Sequence, residues 1–237
     1  MQQGAITAGT PSIMLAHRGP GGDDRVYWSI GYQDENNQVS WPRRQSLHEW
    51  RSLSGVSVCT MTVKNSREED EDVVFCAFAS THEEGQIACF RYYRDSSGAY
   101  VWSEVEWIGS NMTDRTPHLI VVNGKLRCIH RGNDDYHLFY SERSGSAWEA
   151  GSWSNDTRIS EGETNCGPGA VVTSDNILHV LFRDSGRTGE IFNVQQRTDT
   201  DWWKYSIGGG STKSTPCALN HLGKTICVKN AGDKDYV

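Results

Sequence analysis

Two copies of one tripeptide carry the side chains best equipped for chemistry: His17-Arg18-Gly19 and His130-Arg131-Gly132. A third site keeps the arginine, as Arg183-Asp184. Carboxylates follow closely, at Asp23-Asp24 and Asp134-Asp135, and aromatic rings lie a few residues on, at Trp28 and Tyr140. A guanidinium and a carboxylate can fork onto vicinal hydroxyls while a ring packs on the apolar face of a pyranose. On this reading Arg18, Arg131 and Arg183 donate, Asp24, Asp135 and Asp184 accept, and Trp28 and Tyr140 stack, with His17 and His130 beside them. The same residues also admit a structural reading, in which Arg and Asp pair to fix a loop and His caps it. The corresponding stretches Phe78-Ala79-Ser80 and Lys229-Asn230-Ala231 lack the set, which leaves two or three competent sites.

The scaffold that holds these groups follows from a repeat. Thr116-Pro117 and Thr215-Pro216 each open an apolar run, Gly124-Lys125 and Gly223-Lys224 close a turn, and Cys128 and Cys227 follow. Anchored on the second run of each unit, the equivalent residues are Leu15, Cys76, Cys128, Val180 and Cys227, at spacings of 61, 52, 52 and 47. First runs fall at 4–8, 56–63, 117–122, 168–173 and 216–221. Third runs are Arg25–Ser29, Gln86–Phe90, His137–Ser141 and Glu190–Val194, and fourth runs carry Trp41, Trp102, Trp148 and Trp202-Trp203. The intervening turns include Gly9-Thr10-Pro11 and an enlarged acidic one from Lys64 to Asp72. Short β-branched and aromatic runs bounded by Gly, Asn, Asp and Ser are strands joined by hairpins, and no stretch has a helical period.

Four strands per unit at this period predict an all-β fold, a five-bladed β-propeller of four-stranded antiparallel blades, with units at 3–54, 55–113, 114–164, 165–213 and 214–237. The last blade is incomplete: two runs are followed only by Asp233–Val237. Three readings stand: a reduced fifth blade, a piece of a longer chain, or a homo-oligomer in which a second subunit covers the open edge, whose unpaired backbone groups give that covering a physical incentive.

At 237 residues the chain can form one domain, and its net charge of −7 argues against nucleic acid or an anionic membrane as partner. No apolar stretch is long enough to insert in a membrane as a helix. The start lacks a signal-peptide pattern, which points to a cytoplasmic or non-classically secreted protein. Seven cysteines without CxxC spacing indicate neither zinc nor a disulfide framework. Cys76, Cys128 and Cys227 share one strand position and read as small core hydrophobes. No Ser-His-Asp, Walker or HExxH pattern is present, and no metal or other cofactor is expected.

The turn Ser141-Glu142-Arg143-Ser144-Gly145-Ser146-Ala147-Trp148 resembles the Asp-box, Ser-x-Asp-x-Gly-x-Thr-Trp, with Arg143 and Ala147 substituted; Tyr93–Trp102 keeps Asp95 but has an extra residue. The whole chain resembles repeat-built β-propeller lectins with sialidase-like repeats. That resemblance implies a multivalent, non-catalytic protein that binds glycans or glycoproteins in shallow repeated pockets. Two alternatives stand beside it. One is a protein-interaction propeller, an effector or toxin component using the acidic loop Glu68–Asp72 or the edge of the last blade. The other is a glycosidase with carboxylates around a central channel.

Overall fold

The computed structural model describes residues 10–34, 36, 38–41, 44–64, 68–110, 112–186, 188–198, 201–221 and 224–228. Among them every regular element is a strand. Successive side chains of a strand point to opposite faces, and because each sheet turns one face to each neighbour, inner runs such as residues 126–131 are buried without interruption.

Among the described residues five antiparallel sheets follow one another along the chain. The first contains β1 (Thr10–Arg18), β2 (Arg25–Gln33), β3 (Val39–Ser40) and β4 (Gln45–Arg51). The second contains β5 (Ser57–Lys64), β6 (Asp70–Ala79), β7 (Ile87–Arg94), β8 (Tyr100–Trp102) and β9 (Glu106–Ile108). The third contains β10 (His118–Val122), β11 (Lys125–Arg131), β12 (His137–Ser144), β13 (Ser152–Trp153) and β14 (Thr157–Glu163). The fourth is β15 (Gly169–Val172), β16 (Leu178–Arg183), β17 (Glu190–Gln196) and β18 (Trp202–Ser211), and the fifth is the pair β19 (Cys217–His221) and β20 (Lys224–Val228). Where five strands are distinguished, two short ones share the outermost position: β8 and β9 both pair β7, and β13 and β14 both pair β12. The underlying unit is four-stranded.

The sheets pack face to face. Val26, Trp28, Cys76, Phe78 and Phe90 fill the layer between the first and second sheets. Phe75, Cys89, Leu119 and Cys128 fill the next, and Ile129, Tyr140, Val180, Phe182 and Trp202 fill the one between the third and fourth. Each fully buried side chain of this size contributes on the order of 1.5–3 kcal/mol. The first strands β5, β10, β15 and β19 lie side by side in succession, so the sheets turn about a common axis. Close approach there explains the Thr-Pro openings: Thr116 Oγ1 accepts the Gly55 N–H at 2.9 Å, and a Cβ on Gly167 would sit 2.5 Å from the Thr116 carbonyl.

A second repeat holds each connector. Ser52, Thr113, Thr164 and Thr212 are all fully buried. Their N–H groups donate to the carbonyls of Asp24, Gly85, Tyr136 and Gly189 at 2.7–2.9 Å. Their hydroxyls accept the N–H two residues on, from Ser54, Arg115, Cys166 and Ser214. Each of the first four sheets is thereby tied from the end of its outer strand to the turn before the strand with which that outer strand pairs.

Several sequence expectations need correction. The enlarged turn at Lys64–Asp72 is shorter, because Lys64 pairs Asp70 and residues 70–72 belong to β6. Thr10 and Pro11 lie within β1 rather than in a turn. Trp148 falls in the loop before β13, and Trp153 takes the strand position. Leu15 aligns with Cys76 but is 51% exposed, whereas Cys76 is buried. Cys76 and Cys128 are core hydrophobes as expected, and burial pushes the Cys76 thiol up to about 12. The runs at 4–8, 229–231 and 233–237 lie outside the described residues.

Candidate functional site

The two His-Arg-Gly segments end equivalent strands and close the same turn. Gly19 N–H donates to the Arg25 carbonyl and Gly132 N–H to the His137 carbonyl, both at 2.9 Å. Asp23 accepts the Arg25 N–H and Asp135 the His137 N–H, both at 3.1 Å. A Cβ on Gly19 or Gly132 would collide with those carboxylates. Glycine and aspartate therefore recur together for a steric reason, and the partner of Asp135 in the repeat is Asp23, not Asp24.

The side chains around this shared turn diverge. His17 is exposed and stacks on Tyr27 at 5.7 Å, whereas His130 is fully buried, its Nε2 3.0 Å from Asp156 Oδ1. Asp24 pairs with Arg51, and Asp184 accepts the Gly186 N–H. Asp23 is held below the usual carboxylate range by hydrogen bonds from Arg25 and Tyr27. Trp28 and Tyr140 are only 8% and 9% exposed: they lie in the layers between sheets, against Tyr92 and Trp102 and against Trp202. They are not stacking platforms, because their strand positions face the neighbouring sheet. The constellation expected from sequence is thus dispersed among turn, ion-pair and core roles, and His17 and Arg18 stand on an exposed strand end.

One of the expected arginines does reach a cleft. Between the third and fourth sheets a cleft of ≈ 630 Å³ is lined by Asp114, Arg115, Arg131, Asn133, Tyr136, Asn165 and Ser185. The Arg131 guanidinium is buried, donates to the Gly132 and Asn133 carbonyls at 2.9 and 2.8 Å, and pairs with Asp114 at 2.9 Å. It lies 5.0 Å from the centre of the Tyr136 ring. Arg115 Nε donates to the Asn165 carbonyl at 3.0 Å, and Arg183 donates to Asn165 Oδ1 at 2.9 Å. In two connectors the residue after the buried threonine therefore meets the arginine of the sheet it leads into: Asp114 after Thr113 meets Arg131, and Asn165 after Thr164 meets Arg183. Sequence reasoning stopped at Thr116-Pro117 and missed Asp114, Arg115, Asn165 and Tyr136. The signal was present three residues upstream, in Thr113-x-x-x-Pro117, Thr164-x-x-x-Pro168 and Thr212-x-x-x-Pro216.

Tyr136 is the most unusual member. Its φ is 60°, in the left-handed region. Gly85 and Gly189 occupy the same place in other sheets, with φ of 101° and 65°. A non-glycine residue held there costs on the order of 1–3 kcal/mol, and such strain concentrates at functional positions. Tyr136 is nevertheless half exposed.

The Asp-box-like turns act as folding elements. Asp95 Oδ1 accepts the Ser97 and Ala99 N–H groups, and Asp34 does the same for Asn36 and Gln38 in the first sheet. In the third sheet Arg143, standing where the box has Asp, instead forks onto Glu106 at 2.7 and 2.8 Å. Arg91 pairs with the same carboxylate at 3.0 Å. Burial alone would raise the Glu106 carboxyl, but the Arg143 hydrogen bonds hold it below its ordinary value.

No protein-family model matches the sequence, and no curated protein matches it either. Solved structures do. A point mutant of the Aleuria aurantia lectin in complex with α-methyl-L-fucoside superposes with a TM-score of 0.51 at 11% identity, over 92% of this chain and 70% of that one. The Trypanosoma rangeli sialidase in complex with the inhibitor DANA gives 0.51 at 13% identity, over 88% of this chain but only 37% of the sialidase. Radially stacked antiparallel sheets with four-stranded units, together with these two likenesses, identify the fold as the β-propeller shared by the fungal lectin and the sialidase.

Proposed function

We propose that this protein is a non-catalytic, carbohydrate-binding β-propeller of five blades whose principal site is the cleft between the third and fourth sheets. The observation that carries the reading is Tyr136. An aromatic ring is held in a strained backbone conformation where the second and fourth sheets use glycine, half exposed, beside a buried and fully oriented guanidinium. Such a ring offers an apolar face to a sugar, while Arg115, Asn133, Asn165 and Ser185 offer donors and acceptors to its hydroxyls. Likeness to a lectin crystallised with a fucoside supports the class of ligand.

Binding fits the cleft better than hydrolysis. A glycosidase needs two carboxyls about 5–9 Å apart across the scissile bond. The lining contributes one, Asp114, already paired with Arg131. Glycan-array screening of the wild type beside Tyr136→Gly and Arg115→Ala tests the assignment. Glycan binding that both variants weaken is expected; binding unaffected by either would remove the cleft from the argument.

A specific surface favours a protein partner as the second reading. Trp203, Tyr205 and Ile207 alternate along β18 and are 52%, 44% and 41% exposed, on the face opposite buried Trp202. The fifth sheet contributes two described strands, of which β19 lies against β15 of this same fourth sheet. A second subunit covering this stripe would appear as a dimer in native mass spectrometry, insensitive to free sugar.

A further inference from the structure

A second cleft, of ≈ 440 Å³, opens between the first and second sheets and is lined by His48, Glu49, Trp50, His82 and Glu104. It is remote from the Tyr136 cleft and differs from it in chemistry. Among the described residues no lysine or arginine contributes to the lining. Neither Glu49 nor Glu104 forms an ion pair among the described residues; the neighbouring Arg51 is taken by Asp24. Two carboxylates thus converge on a half-buried indole without a counter-charge.

The indole is rigidly placed. Trp50 packs edgewise against Phe90, Trp107 and Phe78 at centroid distances of 5.0, 5.8 and 6.4 Å. His82 meets it at 5.3 Å in a T-shaped contact. His82 is itself set by its own N–H, which donates to Ser80 Oγ at 3.1 Å, and by its ring, whose Nε2 lies 3.4 Å from the Glu49 carbonyl. A ring fixed in this way binds without a large ordering cost. His48 adds a parallel with Tyr136. Its φ is 49°, four residues before buried Ser52, whereas Gly109 and Gly208 hold the left-handed position four residues before Thr113 and Thr212. Here too a side chain stands at a cleft where the second and fourth sheets have glycine; the third sheet has Glu161, with φ of 68°, three residues before Thr164.

We propose that this cleft binds a primary alkylammonium group, with Glu49 and Glu104 supplying the counter-charge and Trp50 an aromatic surface. A cation over an indole is attracted by the ring quadrupole, and flanking carboxylates add to the attraction. The shared chemistry covers two sources, the free amine of an unacetylated amino sugar and the side chain of a lysine in a protein partner.

Calorimetric titration with glucosamine against N-acetylglucosamine, and with lysine amide against its Nε-acetyl form, tests the assignment. The Trp50 indole N–H resonance reports where each ligand sits. At least one amine is expected to bind and to shift that resonance, with its acetylated counterpart about tenfold weaker or worse. Which amine binds tighter names the source. The Glu49→Gln, Glu104→Gln double variant changes two exposed side chains and is expected to lose about tenfold in amine affinity with unchanged Tm. Absence of binding by both amines, equal binding of acetylated and free forms, or full affinity in the double variant would each overturn the proposal. Tyr136→Gly should leave amine binding intact, which keeps this site separate from the glycan cleft.

Discussion

The N–H of buried Thr164 donates to the carbonyl of Tyr136 at 2.8 Å. That one bond ties the end of the third sheet's outer strand to the turn that carries the exposed ring. The same bond runs from Thr212 to Gly189 and from Thr113 to Gly85. The first sheet has it from Ser52 to Asp24, so the turn is a standard part of the repeat, and what is particular to the third sheet is an aromatic ring at that position.

Tyr136→Gly separates that side chain from the scaffold. Glycine relieves left-handed strain but loses the Arg131–ring contact and gains freedom in the unfolded chain, so stability is expected to change by no more than about 1 kcal/mol. Glycan affinity is expected to fall at least about tenfold. Parallel urea melts and sugar titrations would decide it, and retained affinity would assign the ring a merely structural place.

Thr164→Val tests the connector anchor. It keeps the side-chain shape but removes the hydroxyl that accepts the Cys166 N–H at 3.1 Å. A buried donor left without its acceptor costs about 1–3 kcal/mol, and Thr164→Ser should restore most of it. Denaturation midpoints of the two variants would show the difference; a valine variant as stable as wild type would contradict the assignment.

Glu106 should be among the least replaceable carboxylates. Glu106→Ala strands the buried guanidinium groups of Arg91 and Arg143, and a loss of about 3–5 kcal/mol is expected. Because its carboxyl is held below the ordinary value, its contribution is present above the unfolded value of 4.5 and is lost as pH falls through the lower folded value. The gap between the melting curves of wild type and variant should therefore narrow progressively as pH falls below 4.5; a constant gap would refute the ion-pair explanation.

His118 gives the fold a second acid sensitivity. Burial pushes its imidazole down from 6.5 to about 4, so the unfolded chain takes up a proton that the folded one refuses. Stability is expected to be full above pH 6.5, to decline between pH 6.5 and about 4, and to level off below that, with a total of about 3 kcal/mol at most. His118→Asn should flatten that limb in a pH series of thermal melts. An unchanged slope would place the proton elsewhere.

Strands and their repeat could be read from the residues without coordinates. Period-two runs, Thr-Pro openings and glycine-rich turns are local, and the pleat and the hairpin turn respond to them over a few residues. The recurrence of Gly132 with Asp135, and of Gly19 with Asp23, was legible for the same reason, although its meaning was steric rather than chemical. Which copy of a repeated residue meets solvent was settled by packing alone. Trp28 and Tyr140 look as available as His17 in the sequence, yet two are walled in by neighbouring sheets and one is bare. The cleft is likewise assembled from residues some fifteen to seventy positions apart, Asp114 and Arg115 arriving on one connector, Asn165 on the next and Ser185 from the following sheet. No local pattern encodes that meeting. It arises because each sheet buries its faces only against its neighbours, so the environment of a residue belongs to the unit packed beside it as much as to its own.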